Sequence, residues 1–236
     1  MQIYQHTAVT ALQQGQQIII RSSKGKVSAK HVVLAGNVYL SEIAPQLAPK
    51  LAKRIMPVAT YIIATEPIDT KIAKQLIPKN ADFCDTNFDL DYFRSSAPTQ
   101  IEGPRIIYGG RISYSMLTPP QKITYQLQAH MLATFQQLKN TKIQYTWGGF
   151  VDISMNRAPD FGRLAPNNYY LQGFSGHGVA LTGLAGKMVA EAIDGQAQRL
   201  DAFSSIKHHD FPGGKLLRTP ALILGMAWCQ LRDRFD

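Results

Sequence analysis

Cysteine is almost absent from the 236 residues: only Cys84 and Cys229 occur, far apart in the chain. Two isolated thiols exclude a disulfide framework as the organiser of the fold and offer no metal-ligand spacing, so no metal is expected and a reducing, cytoplasmic setting fits. Long hydrophobic runs are also lacking. The most apolar stretch, Pro220-Ala221-Leu222-Ile223-Leu224-Gly225-Met226-Ala227-Trp228, falls well short of the roughly 20 residues that cross a bilayer. The opening Met1-Gln2-Ile3-Tyr4-Gln5-His6 has the pattern of neither a signal nor a transit peptide. Charge is sparse at 17%, yet lopsided, with 25 Lys+Arg against 16 Asp+Glu and a formal net charge of +9. The basic residues are scattered, as at Arg21, Lys24, Lys26 and Lys30 or at Lys50, Lys53 and Arg54. No Lys/Arg run is interleaved with aromatics, which argues against a nucleic-acid partner and for a solvated surface.

What is present is globular. Hydrophobic residues make up 45% of the chain, enough for a packed core. The first forty residues read as a β-meander, with strands over 17–21 and 30–36 joined by a turn at Ser23-Lys24-Gly25-Lys26. The Val32-Val33-Leu34 run predicts burial on both faces of its strand. Residues 41–53 read as a helix broken by Pro45 and Pro49. Further strands are expected over 58–65, 83–94, 105–110, 144–152 with a bulge at Gly148-Gly149, and 168–173. One helix is expected from Thr118-Pro119-Pro120 to residue 138, striped by Leu127, Met131 and Phe135. Another is expected over 179–193, striped by Leu181, Leu184, Met188 and Ala192, with Gly195 just past its end. The whole reads as α+β, a mixed sheet packed on helices.

One segment carries a chemical signal: Gly173-Phe174-Ser175-Gly176-His177-Gly178, between a strand and a helix. Three glycines in six residues expose backbone N–H groups at the positive end of the helix dipole. Such a place suits phosphate, carboxylate or the partial negative charge of a flavin ring. A glycine-rich turn at a helix start explains the same spacing. The spacing is not that of the dinucleotide-binding Gly-x-Gly-x-x-Gly. Gly183 and Gly186, deeper in the helix, would let it pack closely on a flat surface.

Residues 173–190, Gly-Phe-Ser-Gly-His-Gly-Val-Ala-Leu-Thr-Gly-Leu-Ala-Gly-Lys-Met-Val-Ala, resemble the carboxy-terminal flavin motif of the D-amino-acid oxidase/sarcosine oxidase superfamily of FAD-dependent amine oxidoreductases. Asn156-Arg157-Ala158-Pro159-Asp160-Phe161-Gly162-Arg163 and Val32-Val33-Leu34-Ala35-Gly36-Asn37 extend the likeness. Tyr61-Ile62-Ile63-Ala64-Thr65-Glu66-Pro67, Leu90-Asp91-Tyr92-Phe93-Arg94, Arg105-Ile106-Ile107-Tyr108-Gly109-Gly110 and the stretch 211–220 resemble the gamma-glutamylputrescine-oxidising branch. The resemblance implies non-covalent FAD, with Ala35, Gly36, Gly173, Phe174, Ser175, Gly176, His177 and Gly178 beside it. The Gly176-His177-Gly178 backbone would face the N1–C2=O edge of the ring and stabilise its negative charge on reduction, an oxyanion-hole role. The strands ending at Gly36 and Gly173 would then lie together. A small amine would be the substrate, with Tyr92, Tyr108 and Tyr114 as candidate cavity walls and Arg111 and Arg157 as candidate charges. Each tyrosine also reads as ordinary sheet packing, and Arg157 as a salt-bridge partner.

Departures from the superfamily narrow this. A lysine that holds a substrate carboxylate just after Gly-His-Gly is replaced by Ala180, which disfavours a small amino acid. A cysteine that tethers FAD in some members falls at Ile153, so attachment there is excluded. The superfamily's amino-terminal strand–Gly-x-Gly-x-x-Gly–helix unit has no counterpart here. The expectation is a truncated chain in which residues 1–55 and 151–200 form an incomplete FAD-binding portion, 56–150 a substrate domain and 201–236 a tail. Its partner would be the missing amino-terminal half or a second copy. A non-catalytic remnant, one part of a split enzyme and a D-amino-acid dehydrogenase-like enzyme remain alternatives.

Overall fold

The fold is described from a computed structural model, which describes residues 2–44, 46–79, 81–87, 90–113 and 120–213, with single positions at 217, 220, 223–225 and 228. The chain divides into two compact units, Met1–Pro57 with Val151–Thr219, and Val58–Phe150 with Pro220–Asp236.

The first unit is layered. Strands β1 (Val9–Gln13), β2 (Ile18–Ser22) and β3 (Gly25–Ala29) form an antiparallel sheet. The turn into β3 is made by Gly25 at φ +151, a conformation glycine adopts freely. The strand β4 (Val32–Leu34) does not join this meander. It pairs in parallel with β11 (Asn168–Gln172), which pairs antiparallel with β10 (Asp160–Ala165), giving the order β10-β11-β4. One face of that sheet packs on α4 (Gly178–Ile193) and α5 (Gln198–Ser204) through Phe161, Tyr169, Leu171, Met188, Val189 and Leu200. The other face buries Val32, Leu34 and Tyr170 with Ile18 and Leu51. The expected burial of β4 on both faces is corrected: Val33 is 40% exposed while Val32 and Leu34 are buried. Val33 shares a face with Tyr169, so the helical layer covers the β10–β11 side of the sheet and leaves its β4 edge open.

The helix expected from residue 41 begins earlier, as α1 (Asn37–Ile43), and a 3-10 turn over Leu51–Lys53 replaces the rest. Helix α4 ends at Ile193 with Asp194 as its C-cap, and Gly195 at φ +91 supplies the left-handed residue beyond it.

The second unit is a sheet of β6 (Phe83–Cys84), β7 (Tyr92–Ser95), β8 (Ile106–Ser113), β5 (Ile55–Thr65) and β9 (Ile143–Ser154), in that spatial order. The single strand expected over 83–94 is two short strands, β6 and β7, paired antiparallel. Strand β9 runs continuously through Gly148-Gly149, and the pairing of β5 with β8 shifts register between Thr60 and Tyr61. Helix α3 (Pro120–Thr134) covers one face, with Leu127 and Met131 fully buried and Phe135, just past its end, nearly so, on Tyr61, Ile63, Ile106 and Tyr108. The spacing of four between those three residues accounts for the contact. Thr118, Pro119 and Tyr114 lie outside the described residues. Cys84 is exposed and free, and Cys229 lies outside the described residues.

Candidate functional site

The loop between β11 and α4 is divided into an inner and an outer half. Gly173, Phe174 and Ser175 are buried. Gly173 takes φ +75 and Ser175 φ +51, so the chain turns sharply as it leaves β11. Phe174 packs on Phe161 with ring centroids 5.1 Å apart. The Ser175 hydroxyl donates to the Gly173 carbonyl at 3.2 Å and accepts the Ser154 N–H at 3.3 Å. These side chains are scaffold. Of the residues expected beside the cofactor, Phe174 and Ser175 therefore contribute support rather than side-chain contact.

Gly176 and His177 are exposed, and Gly178 is half-buried. Gly176 sits at φ +91, where a side chain would be strained, and has open space where a Cβ would project. Gly178 has no such positive φ, so the conformational need for glycine falls at Gly176 rather than at Gly178. The His177 N–H closes a turn on the Phe174 carbonyl at 2.9 Å. The first intrahelical bond of α4 runs from the Leu181 N–H to the His177 carbonyl at 3.1 Å. The N–H groups of Gly178, Val179 and Ala180 thus precede the helical ladder, as helix geometry requires. Val179 is fully exposed, and the Cβ directions at Gly183 and Gly186 meet nothing within 4 Å. A flat ring carrying partial negative charge fits this backbone-only, sterically open helix start.

The second half of the expected site, Ala35 and Gly36, is exposed at the end of β4. Leu34 pairs in parallel with Tyr170, so both chains leave the sheet at the same end. The buried carboxylate of Asp152, near the end of β9 and 2% exposed, ties the two exits together. It accepts the Gly173 N–H, the Phe174 N–H at 3.0 Å and a hydrogen bond from the Asn37 side chain. The expected closeness of Gly36 and Gly173 follows from that shared carboxylate. Burial pushes the Asp152 carboxyl above the usual range, against the opposing pull of its donors. Ala35 and Gly36 also border an apolar cavity of about 280 Å³ with Leu12, Val33, Tyr39 and Leu40.

A second buried carboxylate, Asp160, accepts the Tyr170 hydroxyl at 3.0 Å and the Gln172 amide at 2.8 Å, with Arg54 at 3.5 Å. Tyr170 is pushed up to about 12, chiefly by burial and then by the Asp160 charge. Asp152 was not readable as a partner of the loop from sequence, because nothing in the spacing pairs residue 152 with residue 173.

In the second unit the tyrosines separate by face. Phe93 is opposite Tyr108 and stacks on it at 5.6 Å, while Tyr92 is opposite Gly109. Tyr108 is 1% exposed, under α3, and its hydroxyl donates to Asp91 at 3.0 Å. It is a core residue and not a cavity wall, a correction forced by the strand's alternation. Burial, together with the Asp91 charge, pushes Tyr108 up to about 12. Tyr92 lies on the opposite, open face, with its ring over Gly109 at the position a Cβ would occupy. The Thr146 hydroxyl bonds Thr124 of α3 at 2.8 Å, so its neighbours Tyr145 and Trp147 turn to the open face, 52% and 46% exposed. Sequence reading missed Trp147 and Tyr145; strand alternation about a half-buried Thr146 was the available signal. The Arg111 side chain lies outside the described residues. Arg157 is exposed in a turn closed by its N–H on the Ser154 carbonyl at 3.1 Å, with φ +60. Among the described residues no His/Cys/Asp/Glu group could hold a metal ion, and no helix is long and apolar enough to cross a membrane.

An open helix start of this kind suits a flat ring carrying negative charge, such as a flavin. The chain belongs to the FAD dependent oxidoreductase (DAO) family, whose model matches residues 1–192. It is 43% identical over 232 residues to gamma-glutamylputrescine oxidoreductase of Escherichia coli, covering 98% of this chain and 52% of that protein. A probable oxidoreductase OrdL of Haemophilus influenzae is 36% identical, over 92% of this chain and 48% of that one. The chain therefore spans about half the length of the curated relatives it matches. Among solved structures, glycine oxidase from Geobacillus kaustophilus matches 87% of the chain and 53% of its own at TM-score 0.68 and 16% identity. L-proline dehydrogenase from P. horikoshii matches 83% and 51% at TM-score 0.66 and 24% identity. These two likenesses establish the fold.

Proposed function

We propose that this chain is the flavin-facing and substrate-binding portion of an FAD-dependent enzyme that oxidises a C–N bond of gamma-glutamylputrescine or a similar amine. The observation that carries the reading is the start of α4. There the Gly178, Val179 and Ala180 amides stand outside the helical ladder, next to the exposed Gly176, with Val179 and Ala180 exposed and Gly178 half-buried. FAD, held non-covalently, would supply the acceptor for a hydride from the amine carbon, which leaves an iminium for water to hydrolyse. The residues of this chain hold and orient. The α4 amides stabilise negative charge on the ring, and Tyr92 and Trp147 on the open sheet face offer aromatic surface to the substrate's methylene chain.

The FAD pyrophosphate requires a cradle of backbone amides that no described segment supplies. The exposed Val33, the apolar cavity at Ala35 and Gly36, and the bare Gly183 and Gly186 surface of α4 support completion of the site by further polypeptide, in the same chain or another. Purification decides the matter. The chain alone is expected to come out colourless or to lose flavin on gel filtration. Adding the first half of the Escherichia coli relative should restore yellow protein that gamma-glutamylputrescine bleaches without oxygen. A stoichiometrically yellow preparation of the chain alone, or a flavin-loaded assembly that no amine bleaches, overturns the reading.

A further inference from the structure

Asp152 is the point at which three segments of the first unit meet. The N–H groups of Gly173 and Phe174 converge on one of its carboxylate oxygens, and the Ser175 N–H donates to its backbone carbonyl at 2.9 Å. Three consecutive amides of the β11–α4 loop thus end on one residue. Asn37, which opens α1 after β4, donates its side-chain amide to the same carboxylate. Asn37 sits at φ +47 and Ser175 at φ +51, both left-handed non-glycine residues held by this group and its neighbours. Two N–H groups converging on a single oxygen favour a carboxylate, whose bonds are stronger than those of a neutral acceptor. The Asn37 Oδ1 is buried and accepts from none of the described residues. An asparagine at 152 would keep an oxygen for Gly173 and Phe174. Its amide could then donate to Asn37 Oδ1 once the Asn37 side chain turned over.

We propose that Asp152 is the positioning residue of the flavin-facing loop, and that Asn37 shares its carboxylate so that the end of β4 is fixed with it. This rests on the reading that the outer half of the loop faces flavin. Asp152 touches no reacting atom; it acts through the Gly173 and Phe174 amides, which aim Gly176, His177 and Gly178.

The test compares Asp152→Ala, Asp152→Asn and Asp152→Glu. Hydrogen exchange on the chain as it stands should quicken at the Gly173 and Phe174 amides by about a hundredfold in Asp152→Ala, the loss expected of orphaned buried donors. Asp152→Asn, of equal length, should stay within about tenfold of wild type, while the longer Asp152→Glu behaves like alanine. Amides of Phe161 and Leu171 in the same sheet should not change. In the flavin-loaded assembly the midpoint potential should move in Asp152→Ala and Asp152→Glu and return in Asp152→Asn, without tracking the melting temperature. Unchanged exchange at Gly173 and Phe174, uniform loosening of the whole sheet in every variant, or a potential indifferent to the loosened loop overturns the proposal. If the wild-type assembly holds no flavin, the reading of the loop has failed, and the exchange data alone decide whether Asp152 is the latch.

Discussion

Phe174 donates its backbone N–H to the buried carboxylate of Asp152 at 3.0 Å across 21 intervening positions of sequence, and Gly173 donates to the same oxygen. That pairing fixes the inner half of the loop and frees the outer half. The side chains of Phe174 and Ser175 are spent on packing and local hydrogen bonds. Gly176, His177 and the first amides of α4 are left to face outward.

The alkaline limb of stability should be set by two tyrosines. Tyr108 and Tyr170 are both raised from 10.0 to about 12 by burial and a neighbouring aspartate. Their phenols stay neutral in the folded chain while the unfolded chain loses those protons near 10. The stability they contribute is complete below that value and is lost as pH rises through about 12. An ultraviolet phenolate titration should show a late component that shrinks in Tyr108→Phe and in Tyr170→Phe. A single transition in the ordinary tyrosine range contradicts this.

Asp160→Ala should destabilise the first unit by about 3 kcal/mol, because it leaves the Tyr170 hydroxyl, the Gln172 amide and Arg54 without their buried acceptor. Asp160→Asn keeps one oxygen and should cost less than half as much. Denaturant unfolding measures both; equal losses would mean that packing, not hydrogen bonding, is what Asp160 supplies.

Gly109→Ala should unseat Tyr92. The added Cβ would fall inside the contact distance of the Tyr92 ring, so the ring must swing off the sheet at a cost of about 1–3 kcal/mol. If the open face receives the substrate, KM for the amine should rise while flavin content stays constant. Tyr108→Phe, on the covered face, should leave KM unchanged. Kinetics of the two variants in the flavin-loaded assembly check the assignment of faces.

The sequence disclosed some of these features and concealed others for physical reasons. Helix α3 announced itself because Leu127, Met131 and Phe135 recur at the helical period. The loop at Gly173 announced itself through its clustered glycines, although spacing did not tell which need a positive φ: Gly173 and Gly176 take one, Gly178 does not. Strand β4 misled, because a Val-Val-Leu run looks the same at the edge of a parallel sheet as at its centre. Tyr92 and Tyr108 could not be told apart, since their opposite faces depend on register across β7 and β8. Asp152 gave no signal, because a buried carboxylate that caps a loop is defined by partners distant in sequence.

The midpoint potential of the flavin in Gly178→Val, set beside His177→Ala, tests the central claim most directly. Gly178 begins α4 without a positive φ, and a Cβ there would make only an ordinary contact with the Phe174 Cβ at 3.9 Å, so the fold accommodates valine. It would still hold a ring away from the α4 amides. Loss of one well-placed donor costs about 3 kcal/mol in an oxyanion-type site. The account predicts a potential shifted to more negative values in Gly178→Val, with amine-driven reduction slowed on the order of a hundredfold. His177→Ala, whose contribution is its backbone, should stay near wild type. A folded, FAD-loaded Gly178→Val protein with an unchanged potential would contradict the account.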